Sequence, residues 1–169
     1  SIRQFRLETG RENSLFVHTT LVPYLFGSNE LKTKPTQNSI IELRRLGIQP
    51  DIIVTRAPLD LGDPVKKKIS LFGSIPVENI IEAKDVGNIY QIPINFHKQQ
   101  IEDIILNQFN LPSGKSNLEH WENLIKATES LKDEIEIALV GKYVELEDAY
   151  LSVKEALKAA GYKYHTKIK

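Results

Sequence analysis

Apolar stretches of strand character recur at residues 15–20, 51–56 and 79–84, separated by amphipathic segments with helical spacing. The run Ile52-Ile53-Val54 is apolar without alternation, as in a parallel strand covered on both faces. Strand, helix and strand at this spacing predict βαβ units and an α/β fold, a parallel sheet flanked by helices. Residues 1–6 read as helix. A longer helix is predicted over 96–109, with Ile101, Ile104, Ile105 and Gln108 on one face.

Local signals punctuate this pattern. Ser39 and Glu42 have capping-box spacing, and Gly47 stands where a helix-ending glycine belongs. Asp63 and Pro64 read as N-cap and first helical residue, with Gly73 closing that helix. Residues 111–117 form a turn-rich break, and Asn117 is positioned to cap the helix carrying Leu118, Trp121 and Ile125. The pattern then restarts. A strand is predicted over 134–140, a helix over 149–160 and a strand over 162–169. A single unit of this kind cannot bury its own faces. The chain therefore divides into residues 1–130 and the start of a second α/β domain at 131–169.

Composition narrows the chemistry. Lys plus Arg and Asp plus Glu both number 22, so no global basic field draws the chain to nucleic acid. The 41% hydrophobic content suffices for a packed core. There is no cysteine, which excludes disulfides and thiolate-bound metal and fits a cytoplasmic protein. No apolar run approaches the roughly 20 residues of a membrane span. The four histidines lack metal-ligand spacing, so no metal site is expected among these residues, and with no cysteine nucleophile and no Gly-x-Ser-x-Gly elbow no catalytic residue is expected either. There is no methionine, even at position 1, which suggests an N-terminus set by processing or excision.

Ligands of open α/β sheets bind beyond the carboxyl ends of the strands. Three features fall there. The loop after the first strand carries Lys32 and Lys34, Arg56 ends the second strand, and Lys84-Asp85 ends the third. A helix starting after Gln37 would present free N–H groups beside the two lysines, a plausible triphosphate site. Pro35 would hold Lys34 extended, and Thr36 and Gln37 would donate to phosphate, sugar or base.

On a helix spanning 64–72, with Val65 at the origin, Lys68 falls at roughly 300°, between Leu71 at roughly 240° and Phe72 at roughly 340°. Lys66 and Lys67 fall outside this apolar arc, so Lys68 alone points toward the sheet or a cleft, or else snorkels at the helix edge. A Lys-x-Lys loop also fits a solvated turn, and Arg56 also fits a simple pair with Asp51 or Asp60. Ser113-Gly114-Lys115-Ser116 imitates the end of a phosphate-binding loop, but it lacks the first glycine and sits between helices.

At these residues the chain resembles the CTP synthase family, over essentially all of its length. The matching blocks are Leu21-Val22-Pro23-Tyr24-Leu25, Lys32-Thr33-Lys34-Pro35-Thr36-Gln37, Gly47-Ile48-Gln49-Pro50-Asp51-Ile52, Lys68-Ile69-Ser70-Leu71-Phe72, Gly141-Lys142-Tyr143 and Asp148-Ala149-Tyr150. The resemblance implies a Rossmann-like, P-loop-type amidoligase (synthetase) domain without its P-loop, then a linker and the start of a glutamine amidotransferase domain. In such a protein ATP, with Mg²⁺, phosphorylates the uracil O4 of UTP, and ammonia from glutamine displaces the phosphate to give CTP. GTP activates the reaction and CTP inhibits it at the UTP triphosphate site. The active form is a homotetramer.

Carried onto this chain, the resemblance implies UTP/CTP binding by Lys32, Thr33, Lys34, Pro35, Thr36, Gln37 and Lys68. It implies ATP binding by Arg56, Lys84, Asp85 and Val86. The Mg²⁺ carboxylates and the phosphate loop would lie upstream of Ser1, and the Cys-His-Glu triad downstream of Lys169. Alone, the chain would then be inactive. A non-catalytic pyrimidine-nucleotide-sensing module is the alternative. Thr55 and Gly73 stand where cysteine is common in the family, and Asn38 where histidine is common.

Overall fold

The computed structural model describes the backbone of residues 1–169 and every side chain except that of Glu147. The chain forms two compact units, residues 1–116 and 117–169.

The first unit opens with α1 (Ile2–Thr9), capped reciprocally by Ser1 and Gln4. It continues through β1 (Val17–Leu21), a small hairpin of β2 (Tyr24–Leu25) and β3 (Glu30–Leu31), α2 (Lys34–Arg45), β4 (Ile52–Ala57), α3 (Gly62–Gly73), β5 (Ile80–Lys84), α4 (Ile92–His97) and α5 (Ile101–Gln108). Strands β1, β4 and β5 form one parallel sheet with β4 in the middle. The architecture is therefore α/β with a helix-flanked parallel sheet, as the alternation of elements predicts.

Period-2 geometry explains the two cores. Ile53, Ala57 and Ile80 face one side, packed with Ile40 of α2 and Ile69 of α3. Ile52, Val54 and Ile81 face the other, packed with Phe96, Ile101, Ile104 and Ile105 of α4 and α5. With both faces covered, β4 needs the continuous apolar run that the sequence shows. Under its leading end Asp51 anchors α1. It accepts from the Arg6 guanidinium at 2.8 and 3.0 Å and from the Phe16 N–H at 2.7 Å.

Helix starts depart from the capping signals. Helix α2 begins at Lys34, with Pro35 in its first turn, instead of after Gln37. Proline has no N–H to lose there and its φ suits a first turn, so it starts the helix ahead of Ser39. Lys34 is therefore helical, not extended. Ser39 lies inside α2, 2.9 Å from His18 Nε2. The far end follows the signal: Gly47, at φ 77°, donates to the Arg44 carbonyl and Ile48 to that of Leu43, a Schellman closure. Helix α3 starts at Gly62, so Asp63 lies in its first turn instead of capping it.

The helix expected over 96–109 is broken. Gln100 takes a left-handed φ of 57°, separating α4 from α5. Beside the break, the Gln99 carboxamide accepts from the Glu82 N–H at 2.7 Å and donates to its carbonyl at 2.9 Å. It thereby satisfies backbone groups along the β5 edge that no fourth strand of this sheet pairs.

The second unit comprises α6 (Glu119–Glu129), β6 (Asp133–Ile135), α7 (Leu151–Lys163) and β7 (Thr166–Ile168). Asn117 accepts from the Glu119 N–H at 2.9 Å, as its position predicts. Strand β6 pairs in parallel with β7 and is shorter than the expected 134–140, because β7 offers only three partners. Further bonds, among them Ile137 N–H to the Lys169 carbonyl at 2.9 Å and Lys169 N–H to the Ile135 carbonyl at 3.0 Å, extend the pairing. The units divide at 116/117, ahead of the expected 130/131, because α6 packs against α7. Among the described residues no helix is long and apolar enough to cross a membrane.

Candidate functional site

The parallel register sets three strand ends level. Leu21 of β1 stands beside Arg56 of β4, and Arg56 beside Ala83 of β5. Beyond Leu21, the Val22 N–H donates to the Arg56 carbonyl at 2.8 Å, and the Lys32 N–H returns to the Pro23 carbonyl at 2.9 Å. The β2–β3 hairpin is closed around Asn29, at φ 53°. This closure brings Lys32 back to the end of β1, and α2 starts two residues later.

Within the segment Lys32 to Gln37 the side chains divide by task. Thr36 is wholly buried and donates to the Leu21 carbonyl at 3.0 Å, with the Thr20 hydroxyl 3.2 Å away. Thr33 is buried too, and accepts from Gln37 Nε2 at 3.2 Å. The Thr36 hydroxyl, expected to offer its donor to a ligand, is engaged within the fold, and one of the two Gln37 amide N–H groups is engaged with Thr33. Pro35 and Lys34 are exposed at the start of α2, and Lys34 has no ion-pair partner among the described residues. Lys32 pairs with Glu30.

The sequence does not single out Glu30, although its spacing from Lys32 is a strand-face signal. Its carboxyl is held below the ordinary 4.5, first by the hydrogen bond from Lys32, then by that from Ser28 and by the Lys32 charge. The charge of Lys68 on α3 acts in the same direction. Lys68 itself is exposed, so it is not the α3 lysine turned to the sheet. That lysine is Lys66, half-buried, 2.8 Å from Glu82 of β5. Lys66 is turned inward because α3 meets the β5 edge along its Lys66 flank.

At the other strand ends, Arg56 Nε donates to Asp85 Oδ1 at 2.8 Å, and the Asp85 N–H donates to the Ala57 carbonyl at 2.9 Å. The Asp85 hydrogen bond raises the Arg56 pKa further. The alternatives of Asp51 and Asp60 as its partner are corrected, since Asp51 holds Arg6 and Asp60 holds Lys84 at 2.8 Å. Val86 follows, half-buried. Lys84 and Asp60 line a polar cavity of about 400 Å³ together with Lys66, Glu82, Lys98 and Gln99. The structure thus brings Arg56, Lys84 and Asp85 together at one end of the sheet, and separately pairs Lys32 with Glu30.

No group of three or more His, Asp or Glu among the described residues could hold a metal ion. What the residues at the strand ends can do is hold anions with fixed cations and orient a ligand beyond the sheet.

A family model described as CTP synthase N-terminus matches residues 1–111. The CTP synthase of Caldanaerobacter subterraneus subsp. tengcongensis is 48% identical over 168 residues, 99% of this chain and 31% of that protein. The CTP synthase of Hydrogenobaculum sp. is 48% identical over 99% of the chain and 32% of its own length. That of Mycoplasma capricolum subsp. capricolum is 48% identical over 100% and 32%. The chain spans about a third of the length of the curated relatives it matches.

Proposed function

Since the chain belongs to the CTP synthase family, we propose that it carries the UTP/CTP-binding and ATP-adenine-binding side of an enzyme that makes CTP for pyrimidine biosynthesis. In the whole protein ATP would transfer its γ-phosphoryl group to the uracil O4 of UTP. Ammonia released from glutamine would then displace that phosphate, giving CTP, ADP and phosphate. GTP would activate the reaction, Mg²⁺ would accompany the nucleotides, and the working form would be a cytoplasmic homotetramer. Residues 1–130 would belong to the synthetase domain with its linker, and 131–169 to the start of the glutamine amidotransferase domain.

The observation that carries this reading is the division of labour in the segment from Lys32 to Gln37. Its Thr36 hydroxyl is spent on fixing α2 to β1 and its Thr33 hydroxyl on Gln37, while Lys32 and Lys34 stay on the solvent side at the first turn. Lys32, Lys34 and Lys68 would neutralise the triphosphate, aided by the first N–H groups of α2. Thr33, Pro35, Thr36 and Gln37 would act by holding the backbone that presents the lysines. Arg56, Lys84, Asp85 and Val86 would border the adenine. None of these groups is set to move a proton, so catalysis here is by positioning. With no cysteine in the chain there is no thiol to attack glutamine, and the 169-residue chain alone is expected to form no CTP.

Calorimetric titration with UTP tests the reading. Saturable binding by the chain, lost in the Lys32→Ala/Lys34→Ala variant with unchanged circular dichroism, is the expected result. Equal binding by both proteins would move the triphosphate away from this segment.

A further inference from the structure

Alternate residues of a strand share a face, so the β3 segment sets Glu30 and Lys32 side by side. The pair is exposed to solvent, at 51% and 39% of the side chains, yet it is not isolated. The charge of Lys68 on α3 favours the same ionised carboxylate. Glu30 therefore draws on two of the three lysines assigned above to the nucleotide triphosphate. A carboxylate left among those lysines would repel an incoming polyanion and compete with it for the Lys32 ammonium.

We propose that Glu30 is a built-in counter-anion of the nucleotide site: it occupies Lys32 while the site is empty, and an incoming triphosphate must displace it. The carboxylate keeps Lys32 ordered and its charge offset between turnovers. The cost is weaker nucleotide binding, so Glu30 sets an upper limit on affinity for UTP and CTP.

The inference rests on the triphosphate reading of Lys32, and one set of titrations separates the two. UTP is titrated into the wild-type chain and into Glu30→Gln, Glu30→Asp and Lys32→Ala variants. Removing an exposed carboxylate from its lysine should tighten UTP binding in Glu30→Gln by roughly fivefold. Glu30→Asp, which keeps the charge, should stay near wild type. Lys32→Ala should weaken binding. Unchanged or weaker binding in Glu30→Gln overturns the proposal, the weaker result meaning that the carboxylate helps to hold the nucleotide. If Lys32→Ala binds as tightly as wild type, or if no protein binds UTP, the triphosphate reading falls and the proposal falls with it.

Discussion

The Thr36 hydroxyl, wholly buried, donates to the Leu21 carbonyl at 3.0 Å and so fastens the first turn of α2 to the last residue of β1. This bond decides where the neighbouring lysines stand. Thr36→Val keeps the volume but leaves a buried carbonyl without this donor, which should cost about 1–2 kcal/mol in urea denaturation. Any fall in UTP affinity should follow from that loosening. A variant as stable as wild type but unable to bind UTP would instead make Thr36 a direct ligand.

Much of this was legible in the chain, for identifiable reasons. The run Ile52-Ile53-Val54 announces a two-sided parallel strand because no polar residue interrupts it. The Lys32 to Gln37 segment stands out because cations and a proline cluster where a strand should end. What escaped depends on contacts between distant residues. Whether Thr36 faces a ligand or Leu21 is set by where α2 begins, and Pro35 outweighed the Ser39–Glu42 signal there. Lys66 and Lys68 could not be ranked from angles alone, because the β5 edge, and Glu82 upon it, is what selects Lys66. The partners of Arg56 and Lys84 likewise emerge only once β4 and β5 are set in register.

His18 gives the fold a pH dependence of defined sign. It projects from β1 to Ser39 of α2, and burial lowers its pKa below the ordinary 6.5. The folded chain thus holds the proton less tightly than the unfolded chain. The contribution to stability is complete above pH 6.5 and is lost as pH falls from there through the lower folded value. Urea midpoints measured from neutral to mildly acidic pH should therefore fall for wild type. The decline should be shallower in a His18→Gln variant. Glu30 and Glu102, both held below the ordinary 4.5, lose their contributions only at more acidic pH. Parallel declines in the two proteins through the histidine range would remove His18 as the source.

Arg56 and Asp85 offer the sharpest separation of function from stability. Their ion pair spans the ends of β4 and β5 at 2.8 Å, with the arginine side chain 67% exposed. An exposed pair of this kind stabilises a fold by at most about 1 kcal/mol, so its loss should leave the urea midpoint almost unchanged. If the pair borders the adenine, Arg56→Ala should weaken ATP binding about tenfold, or ~1.4 kcal/mol. Asp85→Asn, which keeps the guanidinium but frees it from its carboxylate, should weaken binding less. UTP affinity measured in the same samples should move less, because Lys32 and Lys34 stand past the end of β1, on the opposite side of β4 from Asp85. Equal losses for ATP and UTP would mean that the pair shapes the whole strand edge instead of one nucleotide's place on it.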